Sequence, residues 1–113
     1  MGLPRPLRLG NRRRIREVRE GGRRAESRLG GVLLLPGATA DSRLCSVFPR
    51  HLGTAVRRNR ARRRVQEAFR ECAGRLGEPW DVIFRARRGC VEAGLETIAA
   101  GLQRLLREAG AME

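Results

Sequence analysis

A chain of 113 residues with 25 arginines, no lysine and 12 acidic residues carries a formal charge of +13, so it repels itself and calls for an anionic partner. Its length suits one domain with one core that buries roughly two-thirds of the unfolded surface. Three cysteines and a single histidine are too few and too scattered for a zinc site, and the longest apolar run, residues 32–35, is far too short to span a bilayer.

Residues 1–10, with Pro4 and Pro6 among Leu and Arg, read as an extended lead-in that is mobile when nothing is bound. Asn11 is placed to cap a short helix, NRRRIREVRE, which stops at Gly21-Gly22. Only Ile15 and Val18 give that helix an inner face, so it has to lean on a larger element. Residues 23–28 contribute a short extra strand. Residues 29–35 then read as a strand with a continuous apolar run, ended by Pro36-Gly37. After a turn-rich connector at 37–42, residues 43–48 read as another strand, closed by Pro49.

Residues 53–71, GTAVRRNRARRRVQEAFRE, hold the densest positive charge of the chain and an apolar stripe in the same segment. At 100° per residue, Ala61, Val65, Ala68, Phe69 and Cys72 fall close to one line, the spacing of a core-facing stripe. Arg60, Arg63, Glu67 and Arg70 lie opposite, with Asn59 and Arg64 nearby, and Arg57 and Arg62 take the two flanks. Arg58 lies in line with the stripe but at the N-terminal end, where it overhangs the edge as a projecting group. Thr54 is placed as the N-cap. Six arginines within residues 57–64 repel one another at helical spacing, which is most easily understood if a polyanion neutralises them; a solvated basic face is the plainer alternative. Arginine in place of lysine suits bidentate phosphate contacts, although coding bias accounts for most of that preference.

Residues 74–79 form a loop, and residues 80–86, WDVIFRA, read as a strand with Val82, Ile83 and Phe84 at its buried centre and Arg85, Arg87 and Arg88 at a basic far end. Residues 92–109 carry Leu95, Ile98, Ala99, Leu102, Leu105, Leu106 and Ala109 at helical spacing, with Gly110 as the stop. This helix packs on the sheet. The fold class is therefore α+β, in the order αββ(β)αβα, with one central sheet and helices packed on it. Residues 11–110 form a single α/β domain, which the resemblance given next implies is RNA-binding, and residues 111–113 a tail.

The string Gly53-Thr54-Ala55-Val56-Arg57-Arg58-Asn59-Arg60-Ala61-Arg62-Arg63, continued by Glu67 and Phe69-Arg70, resembles the signature of the protein subunit of bacterial ribonuclease P. In that family the pattern is a basic pair, then Gly-x-Ala-Val-x-Arg-Asn-Arg-x-Lys-Arg; here Arg62 takes the place of the usual Lys, and Arg50-His51 replaces the pair. The resemblance implies a left-handed crossover that carries the basic helix. It also implies a ribozyme, whose RNA subunit uses Mg2+ to release the 5′ leader from precursor tRNA, while the protein supports the RNA fold and metal affinity and holds the leader. The RNA contacts it implies are Arg50, Arg57, Arg58, Asn59, Arg60, Arg62, Arg63 and Arg64, and the leader cleft it implies is formed by Ile15, Arg19, Ser46, Phe48 and Arg87. The implied partners are the ribonuclease P RNA subunit and precursor tRNA, with no membrane, a monomeric protein when alone, and a cytoplasmic location.

The chemistry of the residues agrees with an accessory role. A protein nuclease needs metal-binding carboxylates or an acid/base pair, whereas Asp41, Glu78, Asp81, Glu92 and Glu96 are scattered and His51 sits beside Arg50 as a substitute basic contact. The cleft departs from the family: Ile15 and Arg19 stand where two aromatic rings are usual, and Cys45-Ser46 stands where Gly-Phe is usual. With three Phe, one Trp and no Tyr in the whole chain, the grip on a single strand is more electrostatic than stacking. A general RNA-binding module such as a ribosomal protein explains the charge equally well but gives no reason for the ordered string, and a basic partner of an acidic protein predicts little discrimination among polyanions.

Overall fold

The computed structural model describes residues 2–112, so Met1 of the lead-in and Glu113 of the tail lie outside the described residues. The elements run 3-10 turn Arg5–Leu7, α1 Arg12–Gly21, β1 Arg23–Glu26, β2 Gly30–Pro36, β3 Arg43–Val47, 3-10 turn Arg50–Leu52, α2 Ala55–Ala73, β4 Trp80–Ala86, α3 Arg88–Glu92 and α4 Leu95–Glu108. The fold is α+β, and the extra strand is present as β1. The C-terminal helix, expected over residues 92–109, starts at Leu95, and a short helix, α3, which is too short to show a period, precedes it.

The sheet order is β1-β2-β4-β3. β1 and β2 form an antiparallel hairpin, β2 and β4 pair antiparallel, and β3 pairs parallel with β4, so α2 is the crossover between two neighbouring strands. One sheet face supplies Ala25, Val32, Leu34, Leu44, Val82 and Phe84 to the main core, where they meet the inner faces of α2 and α4. The residues read as the α2 stripe, Ala61, Val65, Ala68, Phe69 and Cys72, are its buried residues. On α4 the buried set is Ile98, Leu102, Leu105 and Leu106. Burying each of these large side chains contributes about 1.5 to 3 kcal/mol.

The opposite face carries a smaller apolar cluster in which Leu9, Val18 and Ile83 are buried, with Ile15, Leu33, Leu35, Cys45 and Val47 packed around them. Helix α1 lies across this face. Asn11 caps it as expected, its side-chain oxygen accepting from the Arg14 amide at 3.0 Å. Gly22 ends it against β2: a Cβ there would meet the Val18 carbonyl oxygen at 2.4 Å and the Leu34 amide at 3.0 Å, so no side chain fits.

The lead-in is less extended than its prolines suggest. It makes one 3-10 turn, buries Leu3 and Leu9, and bridges Arg8 to Leu44 at the free edge of β3. The two leucines are its anchors, and together with the bridge to Leu44 they offset part of the conformational entropy lost on ordering the segment.

Candidate nucleic-acid interface

Helix α2 begins where Thr54 accepts a hydrogen bond from the Arg57 amide at 3.2 Å. The preceding Gly53 turns the chain at φ +147°, a conformation that L side chains rarely adopt. The next two turns then hold six arginines on a rod whose inner stripe is locked in the core. None of Arg57, Arg58, Arg60, Arg62, Arg63 and Arg64 forms an ion pair with a carboxylate among the described residues. The ion pair on this helix joins Glu67 to Arg70 at 3.4 Å, beyond the cluster.

Three of the six are positioned by neutral oxygens. Arg58 does not project freely: its Nε donates to the Gly53 carbonyl at 3.1 Å and the side chain is half-buried, bracing the corner that starts the helix. Arg64 donates to the Ala93 carbonyl at 2.8 Å, tying α2 to the segment between α3 and α4. Beside it, Arg57, Arg60 and Arg64 line a hollow of about 230 Å³ with Val91 and Glu92. Arg62 donates to the Asn59 side-chain oxygen at 3.0 Å, and its guanidinium lies over the Phe48 ring at 5.1 Å. A carbonyl partner leaves the guanidinium charge intact, so orientation is gained without neutralisation. Arg60, Arg63 and Arg50 are exposed.

The cleft lies on the α1 side of the sheet, and the strand pleat decides what lines it. Arg43, Cys45 and Val47 of β3 stand opposite Asp81, Ile83 and Arg85 of β4, whereas Leu44 and Ser46 stand opposite Val82 and Phe84. Ser46 therefore belongs to the α2 face and not to the cleft. Phe48 is buried on that side too, packed on Phe84 with ring centroids 6.5 Å apart. The cleft residues of β3 are Cys45 and Val47. Ile15 packs into the floor of the cleft with Ile83, and Arg19 is exposed on α1. Arg87 is turned to the β1–β2 hairpin, donating to the Ser27 carbonyl at 2.8 Å and pairing with Glu26.

Beyond α1 the same sheet face opens into a hollow of about 180 Å³, with Gly31, Leu33 and Ile83 as its floor and Arg24 and Arg85 at its rim. Sequence reading missed Arg24 and Arg85 here. The signal that locates Arg85 is its place two residues after Ile83 on β4, which puts both on one face.

Burial raises the thiol pKa of Cys45, and the positive charges of Arg19 and Arg62 partly oppose that rise. Cys72 and Cys90, by contrast, lie in the main core, where burial pushes their thiols up to about 11 and about 12. They are uncharged packing groups at neutral pH.

Asp81, counted among scattered acids, is fully buried at the other end of the cleft. Burial alone would raise its pKa, but hydrogen bonds from Arg43 and Arg14 and from the Ala38 amide outweigh it and hold the carboxyl below the usual range. The hydrogen bonds also hold α1 and β3 to the start of β4. No group of three or more His, Cys, Asp or Glu side chains is placed to hold a metal ion among the described residues, and no helix among them is long and apolar enough to cross a membrane.

The chain matches the family model described as Ribonuclease P over residues 3–110. It is 39% identical over 107 residues, 95% of this chain and 87% of the other, to the ribonuclease P protein component of Herpetosiphon aurantiacus. It is also 36% identical over 115 residues, 98% and 92% of the two chains, to that of Roseiflexus sp.. Among solved structures, the RNase P protein from Thermotoga maritima superimposes with a TM-score of 0.77 at 28% identity, covering 89% of this chain and 96% of that one. The RNase P protein of Staphylococcus aureus shares the fold at a TM-score of 0.81 and 22% identity, covering 95% and 98%.

Proposed function

The chain belongs to the ribonuclease P protein family, and from that premise we propose that it binds the RNA subunit of the enzyme through the N-terminal half of α2 and holds the 5′ leader of precursor tRNA in the cleft beneath α1. The observation that carries this reading is the α2 cluster: six guanidinium groups on a capped, core-locked helix, without a carboxylate partner among the described residues. Such a rod is preorganised for the phosphates of a folded RNA, because the helix is fixed by its core stripe and Arg58, Arg62 and Arg64 are held in place before the partner arrives.

The cleft is suited to a single strand by its mixed lining. Ile15, Leu33, Ile83 and Val47 offer apolar floor, and Arg19, Arg24 and Arg85 stand around it. Phosphodiester hydrolysis is assigned to the RNA subunit, and the Mg2+ ions to the RNA and substrate phosphates. The placement of the carboxylates favours that division, since the buried Asp81 is already held by two arginines and no three His, Cys, Asp or Glu side chains among the described residues are grouped to hold a metal ion. The protein raises metal affinity indirectly, by favouring the folded RNA that forms the metal site over its less folded forms. We further propose that the free protein is monomeric and acts in the cytoplasm; Val56 and Leu95 are the exposed large apolar side chains among the described residues, too little for a stable dimer face.

Reconstitution tests the proposal. Adding this chain to ribonuclease P RNA at low Mg2+ should restore cleavage of precursor tRNA at the mature 5′ end. Tight binding to ribosomal RNA with no such rescue would instead make the chain a general RNA-binding module.

A further inference from the structure

The strand register leaves an opening in the leader cleft between an acceptor and a donor. On the α1 face of the sheet, Glu26, Gly31, Arg85 and Val47 stand in one row across β1, β2, β4 and β3, and Arg24, Leu33, Ile83 and Cys45 stand in the next. Gly31 has no side chain, so the first row is open between the Glu26 carboxylate and Arg85. Glu26 leans into that opening: a Cβ on Gly31 would meet its Oε1 at 3.4 Å and its Cγ and Cδ at 3.6 Å. The opening is the hollow of about 180 Å³ beyond α1, floored by Leu33 and Ile83 and rimmed by Arg24 and Arg85. We propose that it takes one unpaired base of the leader, and that Glu26 selects a base carrying an amino group. The inference rests on the leader reading above.

The chemistry of the hollow decides what fits. A flat ring covers the apolar floor, one of its edges meets the carboxylate, and the exposed Arg24 and Arg85 reach the phosphates on either side. A carboxylate only accepts hydrogen bonds. Cytosine offers it the N4 amino group, whereas uracil, of the same size, turns O4 toward it, and two acceptors face to face repel. Glu26 has no strong structural reason to be there. Its ion pair with Arg87 joins two side chains that are both well exposed to water, and pairs of that kind contribute little to stability. What the pair does is orient the group: Arg87 donates to Oε1, and the carboxylate keeps lone pairs for further donors. Asp81, the other carboxylate on this face of the four strands, is buried under Arg14 and Arg43, so Glu26 is the one open to a ligand. A negative charge beside a phosphate chain lowers affinity unless it makes a contact of its own, and a base amino group supplies that contact.

The experiment uses the holoenzyme reconstituted with ribonuclease P RNA and a cleavage-blocked precursor tRNA whose leader is all uridine except for one cytidine, moved along it position by position. The readout is the ratio of affinities for leader-bearing and mature tRNA. In the wild type, cytidine at one position should raise this ratio roughly fivefold to tenfold over the all-uridine leader, the weaker end of discrimination by a base-edge contact. Glu26→Gln, whose amide donates as well as accepts, should no longer distinguish the two bases there. Arg87→Gln breaks the same ion pair but leaves the carboxylate, and should keep most of the preference. If the wild type favours leader-bearing tRNA but no position distinguishes cytidine from uridine, or if Glu26→Gln keeps the distinction, the inference is overturned and the leader reading survives. Equal loss in Arg87→Gln and Glu26→Gln overturns it too, since the ion pair and not the acceptor is then responsible. If the wild type binds leader-bearing and mature tRNA alike, the leader reading fails and takes the inference with it.

Discussion

Asp81 accepts hydrogen bonds from Arg14 Nε at 2.7 Å, from Arg43 Nε at 2.8 Å and Arg43 Nη2 at 2.9 Å, and from the Ala38 amide at 3.3 Å. A second Arg14 nitrogen donates to the Pro36 carbonyl at 2.6 Å, so one carboxylate gathers α1, the end of β2, β3 and the β2–β3 loop. Replacing it by Asn leaves two half-buried guanidinium groups facing an uncharged amide. Arg14 and Arg43 retain water on one side, so Asp81→Asn should cost about 3 kcal/mol, the lower end for breaking a buried pair, measured by urea unfolding at pH 7. The pH dependence has a fixed sign. The folded carboxyl has a pKa below its unfolded value of about 3.9, so its stabilisation is fully present above that unfolded value and is lost as pH falls through the folded one. Wild type should therefore lose stability faster than Asp81→Asn as the pH drops below about 4, and the two unfolding curves should converge. Parallel curves would mean that the carboxyl is not held low by its arginines.

At the scale of elements, α2 depends on its first turn. Thr54→Ala removes the acceptor of the Arg57 amide and should cost about 1 kcal/mol. Thr54→Ser should restore most of it in thermal melts. The existence of this helix was legible from sequence because nineteen residues give a period of 3.6 room to repeat, and the apolar stripe coincides with the buried set. Strand β3 was not legible in the same way. Its five residues are one buried and four half-buried, since α1 and the lead-in cover one face and α2 and the core the other, so no clean alternation marks its faces. That is why Ser46 was assigned to the cleft and Cys45 passed over. The Asp81 cluster was also out of reach, because its members are 67 and 38 residues apart and only the strand register brings them together. Arg58 was misplaced for a local reason: helical angle gives a direction, but the Gly53 carbonyl that captures the side chain belongs to the turn before the helix.

For the whole molecule, the distribution of charge matters more than its sum. The carboxylates that form ion pairs do so outside this cluster: Glu17 on α1, Asp81 within the sheet, Glu26 with Arg87, Glu67 with Arg70 and Glu108 with Arg104. The first half of α2 is left as the site where an anion gains most, because binding there relieves repulsion among neighbours at i,i+3 and i,i+4 as well as making new contacts. If each of the six arginines of this cluster neutralises one phosphate, the logarithm of affinity for the RNA subunit should fall against the logarithm of salt concentration with a slope of about −4 to −5. Arg60→Gln or Arg63→Gln should each reduce the steepness by about 0.7 to 0.9 and weaken leader-bearing and mature tRNA complexes alike, since phosphate contacts carry no sequence information. Arg19→Ala, on the cleft wall, should instead lower affinity for leader-bearing tRNA selectively, with a smaller change in slope. A titration of binding against salt for these three variants separates the two surfaces. A slope near zero in the wild type would mean that the α2 arginines do not displace counterions, and an equal effect of Arg19→Ala on both tRNAs would mean that the cleft and the helix do not divide the RNA between them.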